Sequence, residues 1–147
     1  MSTSKLSTLA GIAEDRAQRS ALELDERRAD LGRTRAKYER LVAYARDYRR
    51  SASSEGLPGE LQARHRFQMR IDQHVSDLAA ELRSKRETVE RMTEGVRDDR
   101  ASASALQALH ARGQDQQRRR DERSASTAFD AAVAARHAAR LRSGAGR

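Results

Sequence analysis

The chain has no cysteine and no tryptophan, a single proline, and aromatic residues at only 3% of its 147 positions. Without cysteine it has no disulfide framework and carries no sign of passage through an oxidising compartment. Hydrophobic residues make up 37% against 35% charged, and the mean hydropathy is -0.94. That is too few large apolar side chains for a compact core of this size. No apolar run approaches the ~20 residues that a membrane-spanning helix needs. The opening MSTSKLSTLAGIAEDR has no sustained apolar stretch before Glu14 and Asp15, so no signal peptide is expected. These absences point to a soluble, cytoplasmic protein without membrane insertion.

Low hydropathy also fits disorder. Against it stands the scarcity of helix breakers: one proline and eight glycines. The only strong break is Ser51–Glu60, SASSEGLPGE, which holds Pro58. On both sides Ala, Leu, Arg, Glu and Gln run almost unbroken. A chain with one such break folds back once. The expected fold is all-α: a long two-helix antiparallel coiled-coil hairpin with an unpaired C-terminal helical extension. It forms a single elongated domain over 1–147, with helix one about 4–51, a loop about 52–58, and helix two about 59–141, unpaired after about 110. Such a hairpin needs only an apolar seam, which suits the composition.

The seam is visible in the second helix. Val75, Leu82, Val89 and Val96 fall seven apart, and Ile71, Leu78 and Met92 fall on a second seven-spaced row, interrupted at Lys85. The first helix repeats more weakly, with Leu24, Leu31, Tyr38 and Ala45 on one row and Ala21 and Val42 on another. In one antiparallel register Leu24 faces Val89, Leu31 faces Leu82, Tyr38 faces Val75, Val42 faces Ile71 and Ala21 faces Met92. The midpoint then falls between Gly56 and Leu57, inside the break. The same register sets Arg28 against Lys85, Arg35 against Leu78, Glu14 near Asp99 and Leu6 against Gln107.

Nothing in the chain is arranged for catalysis. There is no Gly-x4-Gly-Lys-Ser/Thr loop for a nucleotide phosphate. His65, His74, His110 and His137 are too far apart for a metal set, and His74 with Asp77 is the nearest pairing. The carboxylates sit on helix surfaces with no pocket to shift their pKa values. The protein is expected to be no enzyme and to hold no cofactor or metal.

The net charge of +8 is uneven. Residues 111–147 hold nine basic and four acidic side chains, including the run Arg118, Arg119, Arg120 and Arg123. One reading is a basic helical protein that binds nucleic acid or ribosomes; another is a solvated charged helix. Aromatics that would stack bases are missing around the run. Large side chains gather instead beside the break. Leu41, Tyr44 and Tyr48 form a stripe on the first helix, with Phe67 across from them next to Ile71. The group either thickens the thin seam or forms a partner surface.

The segments LVAYARDYRR (Leu41–Arg50) and RFQMRIDQHVSDL (Arg66–Leu78) flank a short Ser/Gly loop. They resemble the flagellar export protein FliJ family, as do the LSTLAGIAED start, the overall size and the tail. The most specific part is the Tyr-x3-Tyr and Phe-x3-Ile pair across the loop. Lys37, His74 and Leu78 depart from the family's usual Gln, Ala and His. The resemblance implies a non-enzymatic stalk similar to the γ subunit of rotary ATP synthases. One end would enter the hexameric flagellar export ATPase, with the tail arginines meeting acidic groups at the mouth of the ring. Leu41, Tyr44, Tyr48, Phe67 and Ile71 would form the surface for the membrane export gate protein FlhA. Injectisome stalks share this shape. An export chaperone that escorts substrates is a further reading, and export chaperones are also possible partners.

Overall fold

The computed structural model describes residues 3–52 and 54–146; Met1, Ser2, Ser53 and Arg147 lie outside them. Two helices account for nearly all of it, α1 (Thr3–Ser51) and α2 (Pro58–Gly144). They pack against each other as the expected helical hairpin.

The turn follows from its residues. Arg49 and Arg50 lie in the last turn of α1, where cations favour the carbonyl end of the helix. The Ala52 amide closes that end on the Tyr48 carbonyl at 2.9 Å. Gly56 has φ 155°, and a Cβ there would lie 2.9 Å from Glu60 Oε2. Pro58 opens α2, where its missing amide costs nothing. The Leu57 carbonyl accepts the amides of Glu60 and Leu61 at 3.0 and 3.1 Å.

The chain forms two compact units, one spanning Asp15–Arg100 and the other combining the residues up to Glu14 with those from Ala101 onward. In the 15–100 unit the core is a seam of Ala17, Leu24, Ala45, Ile71, Leu82 and Val96, with Thr34 buried among them. Leu31, Tyr38, Val75, Leu78, Val89 and Met92 are half-buried along the same rows. Each buried Leu or Ile contributes roughly 1.5–3 kcal/mol and each Ala far less, so stability is spread thinly along the seam.

Facing pairs differ from those the apolar rows predict. Lys85 does not oppose Arg28. Its Nζ meets Asp30 Oδ2 at 3.0 Å and Thr34 Oγ1 at 2.8 Å, on either side of Leu31. Asp99 takes Arg16 at 3.2 Å and the Ser20 hydroxyl at 2.6 Å, around Ala17. Both contacts displace the facing by about three residues, ~4.5 Å along the axis. On α1, Thr34 is buried at 4% exposure while Arg35 is exposed. The observed facing gives Lys85 and Asp99 opposite-charged or hydroxyl partners, where the apolar rows alone set them against like charges.

In the other unit Ala10 and Ala103 are buried, and Leu6, Ala13, Leu106, His110 and Gly113 are half-buried. Gln107 was expected beside Leu6, but its amide donates to Glu14 Oε2 at 3.0 Å. Residues 114–137 of α2 are all exposed.

Candidate partner-binding surfaces

The loop-side cluster is assembled by the last turns of α1 and the first turns of α2. Tyr44 and Tyr48 are four residues apart on one helical face. Their rings stack at 6.4 Å between centroids and 27° between planes. Tyr48 then meets Phe67 of α2 edge to face at 4.9 Å and 62°, a favoured geometry for a pair of aromatic quadrupoles. Exposure grades along the chain of rings. Tyr44 is 52% exposed and Phe67 37%, while Tyr48 and Leu41 are half-buried.

Ile71 is different. It is only 5% exposed and belongs to the seam. The structure therefore brings Tyr44, Tyr48 and Phe67 into contact and leaves Ile71 as core.

Polar contacts border the cluster. Arg49 pairs with Asp72 across the helices, and Gln68 donates to the same carboxylate at 3.0 Å. A shallow groove lined by Val42, Ala45, Arg46, Arg49, Arg50, Asp72 and Val75 lies there. Leu57, Leu61 and Met69 are also exposed near the turn, at 70%, 37% and 59%. Sequence reasoning did not single them out. Their only signal was that they fall off the seven-residue rows while lying close to the break.

The tail arginines are presented differently. Arg118 is tied to Asp115 on its own helix at 2.8 Å, and Gln117 donates to Asp121 at 2.9 Å. Arg118 also borders a polar groove with Ser4, Ser7, His110, Gln114, Gln117 and Asp121. Arg119, Arg120 and Arg123 are exposed. Phe129 and Val133 follow one turn apart, at 69% and 50% exposure. The tail is thus a cationic helix with a thin apolar row.

The resolved pKa shifts belong to neither surface. Asp30 is held below the ordinary aspartate range, chiefly by its hydrogen bond to Lys85. Lys85 is raised by hydrogen bonds to Glu81 and then Asp30. Both serve the seam. Among the described residues no group of His, Asp or Glu is placed to hold a metal ion, and no helix is long and apolar enough to cross a membrane.

No curated protein and no solved structure matches the chain. The sequence model of one family, described as flagellar FliJ protein, matches residues 1–142. That match takes in α1, all but the last two residues of α2, the loop-side cluster and the arginine run. The chain belongs to the flagellar FliJ family, whose members are non-enzymatic components of the flagellar export apparatus.

Proposed function

We propose that this protein is a non-enzymatic stalk that couples the hexameric flagellar export ATPase to the export gate protein FlhA. It works in the cytoplasm, peripherally at the inner face of the inner membrane. The observation that supports this most is the ring series Tyr44–Tyr48–Phe67, with stacked and edge-to-face contacts at 6.4 and 4.9 Å. In a chain with three tyrosines and two phenylalanines, this series concentrates exposed aromatic area beside the turn. Aromatic anchors with a polar rim are what a protein partner's pocket recognises. Leu41 and Ile71 complete the proposed surface, Leu41 half-buried and Ile71 within the seam.

At the other contact, Arg118, Arg119, Arg120 and Arg123 meet acidic groups at the mouth of the ATPase ring. Their contribution is electrostatic, so it speeds association and weakens with salt. Export chaperones are additional partners within the same reading. Neither surface needs a cofactor.

The test is Tyr44→Ala with Phe67→Ala. The double variant should keep its helical content, lose binding to FlhA and export poorly. Normal gate binding and export would show that the rings only pad the seam. Deleting residues 111–147 separates the stalk from a nucleic-acid or ribosome binder. The stalk keeps its gate contact without the tail, whereas a nucleic-acid binder loses all binding.

A further inference from the structure

The Leu and Val rows of the 15–100 unit fit a second register besides the one observed, and the two differ in which charged side chains meet. In the register set by the Leu and Val rows alone, Leu31 faces Leu82 and Tyr38 faces Val75, but Lys85 opposes Arg28. In the folded register Lys85 Nζ is held by Thr34 at 2.8 Å, Glu81 at 2.9 Å and Asp30 at 3.0 Å. Asp99 is held by Ser20 at 2.6 Å and Arg16 at 3.2 Å. The registers differ by a slide of about three residues, ~4.5 Å. A small roll of α1 accompanies it, exchanging the row Ser20, Thr34, Leu41 for its neighbour Ala21, Arg35, Val42.

Packing opposes that motion weakly. Ser20, Ala21, Leu41 and Val42 are all half-buried, so at two layers both rows already touch the seam. Ala17 and Ala45 supply two of the six buried hydrophobic side chains of this unit. Small side chains interlock poorly, and long ones such as Arg28 and Arg35 can extend past a seam to reach water.

We propose that the 15–100 unit is a two-register hairpin, set in its folded register by Lys85 and Asp99. Each is a positioning residue: in the folded register it has partners of opposite charge or a hydroxyl acceptor or donor, and for Lys85 the slid register substitutes a like charge. A partner that draws either side chain away from its contacts shifts the hairpin toward the slid register. The size of that shift is bounded by the partner's preference for one register over the other. The inference stands on the seam alone and holds whichever export partners the chain has.

Because the chain has no cysteine, paired cysteines report the register directly. Leu24→Cys with Thr93→Cys joins positions that line one groove in the folded register, away from the contacts of Lys85 and Asp99. Arg35→Cys with Leu78→Cys joins positions that face each other only after the slide. With Lys85 and Asp99 intact, oxidation should close the first pair and leave the second open. Adding Lys85→Met and Asp99→Asn should raise closure of the second pair several-fold to about tenfold, the scale of two part-buried polar contacts, at unchanged helical content.

Should that variant lose helicity, Arg28→Glu with Asp30→Asn gives the same reading from more exposed positions. It moves the partner of Lys85 to the residue it meets after the slide, and closure of the second pair should again rise. No gain in the second pair in any helical variant overturns the proposal. Ready closure of the second pair in the otherwise unchanged chain overturns it as well, because the charges would then set nothing.

Discussion

Tyr48 and Phe67 meet edge to face across the two helices, with ring centroids 4.9 Å apart. Tyr44 stacks on the outer side of Tyr48. The arrangement separates a supporting ring from a presented one: Tyr48 is half-buried, whereas Tyr44 is 52% exposed. Tyr48→Ala should destabilise the hairpin by about 1–2 kcal/mol through lost ring contact and burial. Tyr44→Ala should stay within about 0.5 kcal/mol of the parent. Thermal unfolding followed by circular dichroism measures both. A Tyr44→Ala protein that is fully stable yet binds FlhA weakly would place the recognition in the presented ring.

The ion pair between Asp30 and Lys85 gives the seam a pH signature. Asp30 titrates below its ordinary range, so its contribution is present above the ordinary aspartate value and lost as pH falls through the lowered one. Lys85 titrates above its ordinary range, so its contribution is present below the ordinary lysine value and lost as pH rises through the raised one. The melting-temperature difference between the parent and Asp30→Asn should therefore be constant through neutral pH and shrink in strong acid and strong base. A difference that persists in acid, where Asp30 is protonated, would assign the effect to something other than the pair.

Gly56 carries the turn at φ 155°, a conformation L-residues rarely adopt. Gly56→Ala should cost about 1–2 kcal/mol. The Glu60 carboxylate, 2.9 Å from the added methyl carbon, must also swing aside. Gly59→Ala lies in α2 with open space around its Cβ position. It should be neutral or stabilising by a few tenths to about 1 kcal/mol, the usual gain of alanine over glycine in a helix. Urea unfolding of the two variants side by side checks the contrast.

Charge reversal in the tail tests whether its arginines are structural. Arg119→Glu with Arg120→Glu should leave the melting temperature unchanged, since both side chains are exposed. The same variant should bind the export ATPase several-fold more weakly, and parent binding should fall between 0.05 and roughly 0.5 M salt as charges are screened. Salt-independent binding would instead assign the contact to the apolar row of Phe129 and Val133.

Much of this molecule is legible in its sequence because a hairpin is specified locally. One break at Ser51–Glu60, seven-residue rows and residues that favour helix on both sides are enough for two helices and a turn. The structure has two such helices, Thr3–Ser51 and Pro58–Gly144, packed as a helical hairpin. The stripe of Tyr44 and Tyr48, with Phe67 opposite, was also visible, since i, i+4 spacing and proximity to a turn are sequence properties.

The facing of the helices was not. Leu24, Leu31, Leu82 and Val89 accept more than one offset, because apolar contact is non-directional and roughly proportional to area. Only the folded chain shows that Lys85 settles between Asp30 and Thr34 and that Asp99 takes Arg16 and Ser20. The sequence by itself determined that the chain folds back and where. Tertiary structure decided the register and the exposure of each ring, because hydrogen bonds and ion pairs are directional and choose among offsets that burial alone leaves close in energy.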